Sequence, residues 1–197
     1  MTVHDAWRDS DYRASIASAF AYGRANYGVR AAILPLFAAV VIGKEPWVAG
    51  MALAVFAAGN AVGLTVAGRM SDRLGRRPFI IGGLLVSGVA TAVTGFATDL
   101  PTLVVLSVVA GFGAGALHPA PQASLADVVG RDRNGGPALA AFQMSADTGA
   151  IIGPILAGLL IDYGSYPLAF GTTGLITLLA VIPWLRGRES DVVARAS

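Results

Sequence analysis

Long runs of apolar residues alternate with short polar clusters along the whole chain. Each run is roughly 20 residues long, the length at which a helix spans a hydrocarbon core of about 30 Å. Six spans follow, over about residues 14–42, 48–67, 78–96, 102–126, 137–161 and 167–185. Turn residues punctuate them: Gly43 to Trp47, Gly68 to Arg77, Ala97 to Pro101, Asp127 to Gly136, and Asp162 to Pro167. Pro78 and Pro137 sit at predicted helix starts, where a missing N–H costs nothing. Membrane strands run for about ten residues with alternating polarity. These runs are twice that and apolar in both phases, so the pattern predicts an all-α membrane protein with six transmembrane helices. The expected division is an N-terminal segment 1–13, a helical domain 14–186 and a tail 187–197.

Composition narrows the class. Hydrophobic residues make up 55% of the 197-residue chain and charged residues 13%, where a soluble domain carries about 25% charge. Mean hydropathy is +0.65. The segment before the first span is polar with mixed charge and lacks a small-residue cleavage site, so that span does not read as a signal peptide. With no cysteine, disulfides, thiolate metal sites and cysteine nucleophiles are excluded. No cofactor or metal is predicted. The basic residues lie at helix ends, which membrane topology explains and nucleic acid does not. Placing the N-terminus inside puts Arg8, Arg13, Arg69, Arg73, Arg76, Arg77, Arg131, Arg133, Arg186, Arg188 and Arg195 on the inner side. Only Lys44 then falls outside, so both termini are expected in the cytoplasm. Trp47 and Trp184 are expected as interfacial anchors.

Small residues recur at four-residue spacing: Gly59 with Gly63, Gly111 with Gly115, and Gly149 with Gly153. Such pairs let membrane helices approach closely. Ionisable residues inside a span are costly and mark function by default. Arg30 lies near the middle of the first span, on one stripe with Tyr22 and Asn26. Arg24 lies nearer the inner surface and is expected to snorkel. His118 lies in the fourth span. Asp147 lies about 15 Å into the fifth at 1.5 Å per residue, with Gln143 one turn earlier. Asn60 is expected to make an interhelical hydrogen bond, and Pro35, Pro119 and Pro121 to bend their helices.

The strongest motif is Gly68-Arg69-Met70-Ser71-Asp72-Arg73-Leu74-Gly75-Arg76-Arg77. Gly68 is expected to permit close packing, and Gly75 to take a positive φ. The arginines hold the turn at the headgroups, and Asp72 stays ionised among them. The pattern resembles the G-x-L-a-D-r-x-G-r-r signature of the major facilitator superfamily (MFS), from which only Met70 and Ser71 depart. The resemblance covers about residues 12–188. It implies half of an MFS fold, a three-plus-three inverted repeat. It also implies a latch of Asp72, Arg73 and Arg76 that stabilises one gating state, with Asp127 as the carboxylate partner of the loop arginine. The stretch from Asp147 through Gly149, Gly153, Pro154 and Gly158 resembles the Gly-Pro motif in the fifth helix of drug/proton antiporters, with Ala140 and Ala157 in place of two of its glycines. Ser107 stands where proton-coupled N-terminal halves carry an arginine, and the chain stops within a dozen residues of the sixth span. Both features favour a C-terminal half.

In the family the first and fourth helices line the cavity. The resemblance therefore places Asn26, Arg30 and His118 on the cavity, with Gln143 and Asp147 close by. Asp147 is expected as the buried carboxylate, paired with Arg30 or His118 and either coupling transport to protons or forming a static pair. The expected partners are the bilayer, a small solute, protons and a second six-helix half: a missing N-terminal half, a split-gene partner or a second copy. The expected function is secondary transport by alternating access, proton-coupled, with efflux of drug-like or amphipathic compounds favoured. A non-transporting subunit is the alternative. An intramembrane protease needs a Gly-x-Ser-Gly loop, which is absent, as are metalloprotease His pairs and phosphate-binding loops.

Overall fold

The computed structural model describes residue 7 and residues 10–42, 45–117 and 136–186. They form α1 (Ser10–Ile42), α2 (Pro46–Leu74), α3 (Arg77–Thr94), α4 (Leu100–Leu117), α5 (Gly136–Tyr163) and α6 (Tyr166–Arg186). All six are long and apolar enough to cross a membrane. Among the described residues there is no strand. The membrane helices expected from the apolar runs are therefore present. His118, Pro119, Pro121 and Asp127 lie outside the described residues.

The helices pair by a simple rule. α2 packs along α4, and α1 along α5; α3 lies against both α4 and α6. Exchanging the first three helices with the last three maps the α1/α5 contact onto α4/α2. This is the pairing that a three-plus-three repeat demands. Lipid offers no hydrophobic drive for association, so the packing rests on close backbone approach. The glycine pairs provide it reciprocally. A Cβ on Gly59 or Gly63 would lie 2.3 or 2.1 Å from a carbonyl oxygen of α4, and one on Gly111 or Gly115 would lie 2.1 or 2.0 Å from one of α2. On the other seam, a Cβ on Gly23 would lie 1.9 Å from the Ala146 carbonyl oxygen, and one on Gly149 would lie 2.3 Å from that of Phe20. Both seams are thus zipped from both sides. Phe37, Leu103 and Phe170 fill one end of the bundle. Ile80, Leu84, Leu117 and Trp184 fill the other.

α1 is one rod with an irregular interior. Wide π-type turns run over Gly23–Arg30 and again over Ala38–Ile42, with a regular α-helical stretch, Ala31–Phe37, between them. Pro35 sits in that stretch and removes one backbone donor. Wide turns of this kind re-aim side chains and cluster at functional sites.

Four expectations need correction. The motif after the second span is not a ten-residue turn: α2 continues through Gly68 to Leu74, and only Gly75 and Arg76 separate it from α3. No helix breaker stands between Gly68 and Leu74, so the helix runs on beyond the apolar span. Gly68 is not a packing glycine, because a Cβ there meets nothing within 4 Å. Arg24 does not snorkel: it is 2% exposed, with its aliphatic stem against Gly153 of α5. Trp184 is a core residue rather than an interfacial anchor, 4% exposed, and its indole Nε1–H donates to Ser18 Oγ at 2.7 Å.

Gly75 does take a positive φ, +87° with ψ 154°. That region is essentially closed to side chains, at a cost of about 1–3 kcal/mol. Gly75→Ala is expected to lower bundle stability by about that amount, read as a drop in melting temperature in detergent. Gly68→Ala, with open space around it, should leave the melting temperature unchanged.

Candidate functional site: a polar belt along the first helix

The polar side chains of α1 face its neighbours in a belt. The side chain of Tyr22 approaches that of Asn60 in α2. Tyr22 also contacts Tyr27 edge-on, with ring centroids 5.6 Å apart. Asn26 Nδ2 donates to the Tyr22 carbonyl oxygen at 3.2 Å, while its own Oδ1 is buried without a partner.

Arg30 is the most unusual member. It is 2% exposed. Its Nη2 donates to Thr91 Oγ1 of α3 at 3.1 Å, and its guanidinium lies over the ring of Phe56 in α2, 4.2 Å from the centroid. Nε and Nη1 have no hydrogen-bond partner. A cation–π contact of this kind is worth about 2 kcal/mol when desolvated. A charge in the membrane interior costs roughly 2.5–3.5 kcal/mol on insertion scales, and two buried donors without partners add to that cost. The local geometry stabilises Arg30 without fully compensating it. Arg24 is in the same position, with Nε and Nη1 both buried and unpartnered.

The expected partnership of Asp147 with Arg30 is not made. Asp147 lies on the exposed face of α5, where its Oδ1 accepts a hydrogen bond from Gln143 Nε2 at 3.3 Å. The reason lies in the seam: Gly149 and Gly153 are the positions pressed onto α1. Residue 147, two positions before Gly149, therefore points away from α1. Arg30 meanwhile turns inward, to α2 and α3, rather than onto an open face. Pro154 lies within the continuous α5, and a Cβ on Gly28 would lie 3.1 Å from its ring. Gly158 has open space around it.

Thr91, Phe56 and Tyr27 were not singled out from the sequence. A signal for Thr91 was present: Ser87, Thr91 and Thr94 fall at i, i+4 and i+7, one face of a helix, and all three are buried. Phe56 carried no such signal in an apolar run. At the α2–α3 elbow, Arg77 Nη2 donates to the Trp184 carbonyl oxygen, tying the start of α3 to α6. Ser71 is buried, and its Oγ donates to the Gly68 carbonyl oxygen at 3.4 Å. The backbones of Asp72 and Arg73 are helical.

Comparison with known proteins gives the arrangement a family. The chain is 30% identical over 144 residues to the probable multidrug resistance protein EmrY of Escherichia coli, covering 69% of this chain and 27% of that protein. It is 30% identical over 131 residues to the multidrug resistance protein MdtG of Yersinia enterocolitica, covering 66% and 31%. It is 29% identical over 137 residues to the uncharacterized MFS-type transporter YybF of Bacillus subtilis, covering 70% and 34%. Among solved structures it superposes on the POT family transporter PepTSo with a TM-score of 0.78 at 19% identity, over 89% of this chain and 36% of that one. A peptide transporter POT in complex with sulfate gives 0.76 at 21%, over 88% and 37%. The chain thus spans about a third of the length of the proteins it matches. The sequence profile of the Major Facilitator Superfamily matches residues 16–196, and with six membrane-length helices in the paired arrangement above, the chain belongs to that superfamily and is a multi-pass membrane protein.

Proposed function

We propose that this six-helix unit is one half of a secondary transporter that moves a drug-like or amphipathic solute by alternating access, driven by protons. One observation carries the reading: Gln143 and Asp147 form a polar pair midway along a membrane helix, on a face that this bundle leaves open. An ionisable residue at that depth faces protein or water, not acyl chains. Only 22% of the α2 and α5 spans is buried, against 44–50% of the other four. We therefore assign α2 and α5 to the surface on which a second six-helix half docks, with Asp147 facing the cavity between the halves. Multidrug-resistance names among the relatives support solutes of the efflux kind. The partner is a missing N-terminal half, a split-gene product or a second copy.

The proton role is assigned to Asp147, which takes up and releases a proton as the cavity alternates between the two sides. Proteoliposomes holding the chain with its complementary half, loaded with a fluorescent lipophilic cation, provide the test. An imposed pH gradient should drive dye movement, and Asp147→Asn should abolish the response to the gradient. Unchanged flux with unchanged pH dependence in Asp147→Asn would remove the proton role.

The gating latch of Asp72, Arg73 and Arg76 with Asp127, and the cytoplasmic placement of both termini, complete the proposal. A cysteine introduced at Arg69, in a chain that has none of its own, should react with a membrane-impermeant maleimide only from the cytoplasmic side. Labelling from the outside would invert the topology.

A further inference from the structure

The arginine-bearing end of the bundle carries an apolar groove outside the polar belt. It has a volume of about 180 Å³ and lies between α2 and α3, floored by α4. Gly63 and Ala67 of α2, Pro78 and Gly82 of α3, and Gly113 and Ala116 of α4 make it concave. Pro78 to Val86 along its α3 wall spans about 12 Å at 1.5 Å per residue.

Gly82 shows that the groove is not a by-product of tight packing. A Cβ at Gly83 would lie 2.7 Å from the Gly113 carbonyl oxygen, so that glycine is needed for helix contact. A Cβ at Gly82 meets nothing within 4 Å, and its φ is not positive. Neither packing nor backbone conformation requires glycine there, although glycine in a helix interior costs roughly 0.5–1 kcal/mol relative to alanine. What its missing side chain leaves is the open groove.

The mouth is basic. Arg69 is exposed two residues beyond Ala67, and Arg76 is half-buried in the elbow two residues before Pro78, while Arg77 turns to the Trp184 carbonyl oxygen of α6. The positive end of the 18-residue α3 helix opens at the same place. An apolar slot along the membrane normal, headed by cationic charge, matches an acyl chain below an anionic headgroup.

We propose that this groove is a binding site for an anionic phospholipid, with one acyl chain lying between α2 and α3 and the phosphate at Arg69 and its neighbours. The site uses none of the cavity residues, and its α2 wall belongs to a helix that the transport reading assigns to the docking of the second half. The test uses the full chain in nanodiscs, with Phe79→Trp reporting from the groove wall. Brominated phosphatidylglycerol should quench the added emission at concentrations about fivefold lower than brominated phosphatidylcholine does. Gly82→Leu, which fills the slot, should abolish that quenching without lowering the melting temperature. Arg69→Gln, exposed and outside the groove, should weaken phosphatidylglycerol about fivefold, the contribution of one basic residue at a membrane surface, and leave phosphatidylcholine unchanged. Equal quenching by the two lipids, or undiminished quenching in Gly82→Leu, overturns the proposal. Loss of quenching as protein rises at fixed lipid overturns it in favour of a second chain as the occupant.

Discussion

Gly111→Leu is expected to eliminate nearly all folded, monodisperse protein. A Cβ at this position would already lie 2.1 Å from the Phe56 carbonyl oxygen and 3.0 Å from the Asn60 nitrogen. Both are backbone atoms of α2, so no rotamer change relieves the contact. The helices must separate, and separation undoes the reciprocal contacts at Gly59, Gly63 and Gly115 along the same seam. Overpacking of a core costs about 1–3 kcal/mol when neighbours can shift. Gly111→Ala is expected at the top of that range and Gly111→Leu beyond it. Size-exclusion profiles of fluorescent fusions in detergent, with melting temperatures, measure both. Gly50→Ala and Gly171→Ala are the controls, since neither Cβ meets anything within 4 Å. They should be neutral or slightly stabilising, because alanine is favoured over glycine in a helix by roughly 0.5–1 kcal/mol.

The second large effect separates stability from transport. Arg30→Met is expected to leave the melting temperature of the bundle unchanged or raise it, while reducing flux in the assembled transporter at least tenfold, about 1.4 kcal/mol in the rate-limiting barrier. Arg30 has one hydrogen bond and one ring contact, and two of its nitrogens are buried without partners. Replacing a poorly compensated buried charge by an apolar side chain of similar length is often neutral or stabilising. A residue kept only for packing would behave in the opposite way, losing stability and leaving flux intact in whatever protein survives. A split between melting temperature and flux would mark Arg30 as a functional charge.

The seams were legible in the sequence because glycine spacing is a direct record of backbone approach. Gly59 with Gly63, Gly111 with Gly115, and Gly149 with Gly153 all turn out to lie at helix crossings. Gly75 was legible too, since only a positive φ makes glycine obligatory in that elbow. Facing directions were not. The stripe of Tyr22, Asn26 and Arg30 assumed a regular helix of 3.6 residues per turn. The wide turns over Gly23–Arg30 shift each successive side chain away from that register. Arg30 is thereby carried into the bundle, to Thr91 and Phe56, and Asp147 remains on the other side of the α1/α5 seam. Depth along the helix was readable for both residues, but partnership was not. Trp184 shows the same limit. Its position near a span end suggested the interface, yet the indole turns inward to Ser18, and no sequence pattern around it distinguishes the two.

In the proposed transporter a second six-helix half is seated on α2 and α5. Disulfide cross-linking tests it directly, because the chain has no cysteine of its own. Ile151→Cys on the open face of α5 is 65% exposed at the native residue, and Val89→Cys on α3 is 52% exposed. In membranes containing the complementary half with cysteines along its own exposed helices, Ile151→Cys is predicted to give a cross-linked twelve-helix species and Val89→Cys to give none. Equal cross-linking at both positions, or none at Ile151→Cys in membranes that still transport, would contradict it.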